Sequence, residues 1–284
     1  MPHTRVAREG SKQMKRHYGF IFGIGRACSC SQCLRAAGLQ LASFPWDWVG
    51  DPGAKGRVEV ICNDFKGWMD LADLERREPH TIYVKEYVYN RRNELLFLHD
   101  FKDGVPVEEQ FPAIEAKYAR RIARLNSCIK SAKAPVLAVC IDAPHLTEPT
   151  PLDEIRECRR MLEKKYPGTK FEMLLINRDC GRSFEDRIEE EPEPGLMRAA
   201  FEYKDMAPGR PVFAIDIPLM GEYLKSRFSV SDYRTPAEFA AYKAHQKEVR
   251  KETRLVKMRE AGASNRFEYM LIRLKKRLKG MFGT

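Results

Sequence analysis

No apolar run in this 284-residue chain approaches the ~20 residues that a membrane-spanning helix requires. The apolar run after the basic N-terminus (Arg5, Arg8, Lys12, Lys15, Arg16) is too short for a secretory signal, and no small-residue cleavage site follows it. The expected compartment is therefore the cytoplasm. Tryptophan is absent beyond the first quarter (Trp46, Trp48 and Trp68 are all), and no internal repeat is present. A disulfide framework is not indicated either. The eight cysteines are spread over a long chain, and Cys62, Cys128, Cys140 and Cys158 lie in apolar runs as expected of buried thiols.

Excess positive charge is missing from the body of the chain. Of the formal +10, residues 251–284 hold +7 and residues 1–17 hold +4, which leaves 18–250 at −1. A basic groove across the fold is thus excluded as an expectation, and nucleic acid is not an expected partner of the core. The whole chain is 43% hydrophobic and 32% charged, and its length is enough for one large or two small globular domains. The expected division is a basic leader over 1–17, an α/β domain over 18–232 and a basic helical tail over 233–284.

Phe20-Ile21-Phe22-Gly23-Ile24-Gly25 reads as an apolar strand and glycine turn, followed by helix-forming residues from Cys28. An aromatic loop, Ala42 to Val49, comes next. Val58–Cys62 reads as a strand and Trp68–Arg77 as a short helix. Thr81–Tyr89 and Glu94–Phe101 read as a β-hairpin around the turn Asn90–Asn93. Ile114, Tyr118, Ile122 and Leu125 share one helical face, and Ala134-Pro135 ends that helix. Val136–Asp142 is an apolar strand, 152–166 an amphipathic helix stopped by Pro167-Gly168, and Phe171–Asn177 a further strand. An acidic loop (Glu189, Glu190, Glu191, Glu193) leads to a last strand, Val212–Ile217, and the chain is helical from Thr235. Strands apolar on both faces that alternate with helices predict a three-layer α/β fold, a mainly parallel sheet flanked by helices, with a β-hairpin and a C-terminal helical extension.

In such sheets chemistry gathers at the carboxyl ends of the strands. Those ends carry Cys28, Asp142 and Asn177, with His99 after the hairpin strand. Cys28 falls near a helix N-terminus, where free amides and the helix dipole favour a thiolate. His99 is the one histidine attached directly to an apolar strand, so it is the candidate base, with Asp142 or Asn177 to orient it. The plainer readings are a buried small hydrophobe for Cys28 and a structural cap for His99-Asp100. Trp46, Asp47 and Trp48 suit a substrate-facing loop, or equally a small aromatic core.

Cys28, Cys30 and Cys33 together resemble part of a zinc site, but a second CxxC-like pair is lacking, and no cofactor is expected. Gly23-Ile24-Gly25 lacks the third glycine of a dinucleotide fingerprint and no phosphate-loop lysine follows. Residues 265–284 form a basic amphipathic pattern that suits packing on its own domain and an anionic membrane surface equally well.

Several motifs occur in an order that resembles a bacterial family of putative papain-like cysteine peptidases, a domain of unassigned function. They are Gly25 to Cys28 with Leu34-Arg35, Pro45-Trp46-Asp47-Trp48, His99-Asp100-Phe101, the helix Lys117 to Arg124, and the strands Val136–Ile141 and Met173–Asn177. The resemblance covers roughly residues 18–220. It implies that Cys28, rather than Cys30 or Cys33, is the family's cysteine and His99 its histidine, and it offers a papain-like α+β fold as the alternative architecture. Gly23-Ile24 and Trp46 depart from the family's usual serine-leucine and phenylalanine, and Cys140-Ile141-Asp142 stands where arginine is frequent. The expected function is a thiol hydrolase or acyl transferase acting on an unidentified substrate, peptide or glycan-linked. The alternative is a non-catalytic scaffold at a membrane surface or in glycan assembly.

Overall fold

The computed structural model describes residues 14–78, 86–143, 148–203, 216–262 and 268–269. Its elements run β1 (Arg16–Tyr18), β2 (Phe20–Gly23), α1 (Cys28–Ala36), a 3₁₀ helix (Pro45–Trp48), β3 (Val49–Gly50) and α2 (Ala54–Cys62). A 3₁₀ turn (Leu71–Asp73), β4 (Leu74–Arg77), β5 (Tyr87–Asn90), β6 (Leu95–Phe97) and α3 (Val107–Ser131) follow. Then come β7 (Val136–Ile141), α4 (Leu152–Lys165), β8 (Phe171–Arg178), β9 (Ile188–Glu193), β10 (Leu196–Phe201), α5 (Ile217–Arg227), β11 (Phe228–Val230) and α6 (Pro236–Glu260). The chain divides into two compact units, Met1–Tyr233 and Arg234–Thr284. In the second, α6 opens with a reciprocal cap: Glu238 N–H donates to Thr235 Oγ1 at 3.2 Å and Thr235 N–H to Glu238 Oε2 at 3.0 Å.

The first unit belongs to the α/β class, with sheets flanked by helices. Its main sheet has the order β2-β7-β8-β10-β9, parallel throughout except for β9 at the edge. Alternation along each strand divides the core in two. Phe20, Phe22, Val136, Ala138, Cys140, Phe171, Met173 and Leu175 pack with residues of α2, α3 and α4. Ile21, Leu137, Val139, Ile141, Leu174 and Ile176 pack with α1 and α5 on the other face. Each such large aliphatic or aromatic side chain contributes about 1.5–3 kcal/mol by leaving water.

The chain leaving β2 therefore turns to one face of the sheet, into α1, and the chain leaving β7 turns to the opposite face, into α4. Between the carboxyl ends of these two paired strands a crevice opens, the place where ligands of open α/β sheets bind. A second, antiparallel sheet, β3-β6-β5-β4, carries His99 just beyond β6. The parallel strands expected from the periodicity of 111–177 and the hairpin expected around Asn90–Asn93 thus lie in the same unit. A short parallel pair, β1 with β11, includes Arg16 and His17.

Several expectations are corrected. Val58–Cys62 is helical, because Ala54, Val58 and Ile61 form a buried stripe at helical spacing that overrides the strand propensity of valine and isoleucine. Trp68–Arg77 is no helix: Leu74–Arg77 is β4, held by Tyr87–Asn90 and by the Arg77 guanidinium 3.6 Å from the Tyr89 ring centroid. The acidic loop is the edge strand β9, whose glutamates pair with Arg16, Arg198 and Arg227. Charge on an edge strand blocks pairing with other chains, which explains its loop-like composition. β10 was not foreseen at all. Gly195, at φ +78°, turns β9 into β10. Residues 212–215 of the expected last strand lie outside the described residues, and Asp216 and Ile217 form the cap and first turn of α5 instead. Of the basic tail, α6 confirms the helix expected from Thr235, whereas residues 263–267 and 270–284, with nearly all of the amphipathic pattern of 265–284, lie outside the described residues. Cys62 is half-buried rather than buried.

Gly25 is where the turn after β2 meets β7. A Cβ there would stand 2.8 Å from the Ile141 carbonyl oxygen, 2.9 Å from Cys30 Cβ and 3.0 Å from the Ile141 nitrogen. Backbone cannot give way as a flexible side chain does, so Gly25→Ala is expected to cost about 1–3 kcal/mol. Urea denaturation measures it; an unchanged midpoint would contradict the close approach.

Candidate active site

Cys28 is the first residue of α1, placed there by the strand–glycine turn that precedes it. Of Cys28, Cys30 and Cys33 it alone is partly exposed. Cys30 and Cys33 turn into the apolar layer between α1 and the sheet, with the Cys30 thiol donating to the Val139 carbonyl at 3.4 Å. Burial pushes all three thiols above their ordinary value, Cys30 to about 11. Around Cys28 four influences oppose that rise: the Arg57 charge, the amides of Cys28 and Ser29, and the Gln32 side chain, whose Nε2 lies 3.7 Å from the sulfur. Desolvation outweighs them, so the resting group is a neutral thiol at pH 7. Among the described residues, no three His, Cys, Asp or Glu side chains are grouped to hold a metal ion.

His99 is exposed, and its ring meets the Trp48 ring edge-on at 5.6 Å. The two residues that follow it are anchored. Asp100 accepts from Tyr118 Oη at 2.5 Å and pairs with Lys117, while Phe101 is buried in the core. His99 and Cys28 are both tied to the segment 48–52. Trp48 touches the imidazole, and Asp51 forms an ion pair with Arg26, two residues before Cys28.

Asp142 and Asn177 come together with each other. Asn177 Nδ2 donates to Asp142 Oδ2 at 2.8 Å, Thr150 Oγ1 donates to Asp142 Oδ1 at 2.5 Å, and Arg198 Nε donates to Asn177 Oδ1 at 2.9 Å. Their polar atoms thus serve the loop between β7 and α4. Asp142 also lines the crevice, a cleft of about 280 Å³ bounded by Arg26, Ala54, Cys140, Thr150 and Glu154.

Of Trp46, Asp47 and Trp48, only Trp48 is partly exposed. Trp46 and Asp47, each 2% exposed, do not face a substrate. Trp46 packs on Trp68 with centroids 4.7 Å apart. Asp47 is a clamp: it accepts from Gln40 Nε2 at 2.7 Å, Phe44 N–H at 3.0 Å and Ser31 Oγ at 3.2 Å, and pairs with Arg35 of α1.

Sequence reasoning missed Arg57, Gln32 and Thr150. Gln32 was discoverable, since it stands one helical turn beyond Cys28. Arg57 was hidden by reading its helix as a strand. Thr150 left no signal.

Fold and site define an α/β protein with a partly exposed thiol at a helix N-terminus, two residues beyond an arginine that lines the crevice. Residues 20–181 match the model of the family described as Putative papain-like cysteine peptidase (DUF1796), and the chain belongs to that family. No curated protein and no solved structure matches it. No helix among the described residues is long and apolar enough to cross a membrane.

Removing Asp47 takes the acceptor from Phe44 N–H and Ser31 Oγ and the ion-pair partner from Arg35, while Arg35 and Gln40 keep bonds to residues 42 and 43. Asp47→Ala is expected to lower stability by about 1–3 kcal/mol in urea denaturation. A loss below about 0.5 kcal/mol, the range of an ordinary surface change, would return this residue to the surface role.

Proposed function

We propose that the protein is a thiol-dependent hydrolase or acyl transferase, with Cys28 as nucleophile and His99 as general base on a three-layer α/β scaffold. The observation that carries this reading is the position of Cys28: partly exposed, it opens α1 after the turn that leaves β2, two residues beyond Arg26, which lines the crevice. In the reaction His99 accepts the thiol proton as sulfur adds to an acyl carbon. The negative charge moves to the acyl oxygen, where backbone amides after Cys28 stabilise it. The leaving group departs with the proton from His99, and water or an acceptor then takes the acyl group from sulfur. Asp142 and Asn177 are the candidates for orienting the base, acting through the loop that bounds the crevice. Trp48 is placed against the imidazole and is the part of the aromatic loop within reach of a substrate.

A non-catalytic scaffold is the competing reading, and the neutral resting thiol favours it. The two separate on acylation by p-nitrophenyl acetate. The expected result is a burst of p-nitrophenolate with acetyl-Cys28 found by mass spectrometry, abolished in Cys28→Ala and slowed about 10²-fold or more in His99→Ala. Because the thiol is raised above its ordinary range, the burst should grow with pH past neutrality. Acetylation confined to the exposed Cys180, or a burst that survives Cys28→Ala, overturns the proposal.

A further inference from the structure

Arg57 sits on the inner side of α2 and is 1% exposed. Its guanidinium donates to four main-chain carbonyl oxygens: Arg26 and Val49 from Nη2, both at 2.7 Å, Pro52 from Nε at 3.1 Å, and Trp46 from Nη1 at 3.4 Å. It also lies 5.0 Å from the Trp46 ring centroid. These partners satisfy its hydrogen bonds, while among the described residues no carboxylate stands in ion-pair contact with it, an arrangement that is costly in a protein interior. The titratable groups facing it are Cys28 and Cys30 from α1, Cys140 from β7 and Asp51 from the segment after β3. Asp51 is engaged by Arg26. The three thiols are held neutral by burial, and only Cys28 among them is reachable from solvent.

We propose that Arg57 is the positioning residue for the Cys28 sulfur: it fixes the turn that leads into α1 and supplies the buried positive charge that favours an anion at the α1 N-terminus. The inference rests on Cys28 being the nucleophile. Two of its features would be superfluous in a purely structural clamp. One of its two shortest hydrogen bonds reaches Arg26, two residues before the sulfur. The charge is also retained: burial lowers the guanidinium only to about 10, so it stays protonated at neutral pH. Removing that cation destabilises the thiolate and raises the thiol's midpoint; removing the acid that offsets it does the reverse.

The test is the pH dependence of Cys28 alkylation by iodoacetamide in the full chain, read by site-resolved mass spectrometry with Cys180 as internal reference. Arg57→Met is expected to move the midpoint up by about one pH unit, a roughly tenfold slower reaction below the midpoint. Arg57→Lys keeps the charge and loses carbonyl bonds, so it should melt at lower temperature while its midpoint stays near wild type. Asp51 lies at φ +35°, a region that asparagine also tolerates, and Asp51→Asn should move the midpoint down. Where Arg57→Met folds, its midpoint decides; where it does not, Asp51→Asn decides. An unmoved midpoint in the deciding variant, or a shift in Arg57→Lys as large as that in Arg57→Met, overturns the role of the charge. A wild-type Cys28 that resists alkylation at every pH while Cys180 reacts overturns the nucleophile itself, and this inference with it.

Discussion

A guanidinium buried among carbonyl oxygens is the constraint on which the arrangement of this site depends. Transferring such a cation out of water costs several kcal/mol even after relaxation. Four hydrogen bonds and the face of Trp46 offset that cost only if their acceptors are held in place. The acceptors come from separate pieces of chain: the turn after β2, the 3₁₀ helix, β3 and the segment beyond it. Arg57 therefore makes these pieces mutually dependent. The parallel sheet contributes the turn, the antiparallel sheet contributes β3, and one side chain on α2 fixes the distance between them.

Asp47 and Asp100 work in the same manner from the acidic side. Asp47 joins α1 to the loop that precedes the 3₁₀ helix through Arg35, Ser31, Gln40 and the Phe44 amide. Asp100 joins the end of the antiparallel sheet to α3 through Lys117 and Tyr118. Buried charges satisfied in this way add little net stability over apolar packing, and removing one partner is costly. Their effect here is to hold the residues beside them. Cys28 opens the helix that Asp47 clamps, and His99 precedes the aspartate that anchors to α3.

The parallel strands and the helices between them were legible from the sequence because their signal is local. Val136–Ile141 and Phe171–Asn177 are apolar runs of strand length, and Ile114, Tyr118 and Leu125 keep helical period. Cys28 at a helix start was legible for the same reason. The failures have a common physical origin in tertiary context. Val58–Cys62 carries strand formers, yet its inner face is set by Ala54, Val58 and Ile61 against the sheet. Glu189 to Glu193 reads as a loop until arginines from β1, β10 and α5 neutralise it. Trp46 and Asp47 read as a surface motif because nothing in the local sequence announces that Trp68, Arg35 and Gln40 converge on them. Arg57 was illegible twice over, once through the wrong element and once because a buried cation is rare enough to be presumed exposed.

A neutral Cys28 at rest is compatible with catalysis when the charges around it are considered at the moment of reaction. The helix-terminal amides, Gln32 and Arg57 do not overcome burial for the free thiol, so little thiolate stands exposed to adventitious oxidation or alkylation. Once a base removes the proton and an acyl oxygen takes up the charge, those same groups act on an anion that exists only along the reaction path. Interactions stronger in the transition state than in the ground state are the ones that accelerate chemistry. Fixed dipoles and a buried cation need no reorganisation to provide them. In the proposed mechanism, burial thus keeps the sulfur quiescent, and the positive field of the α1 N-terminus and Arg57 is spent on the oxyanion rather than on the resting enzyme.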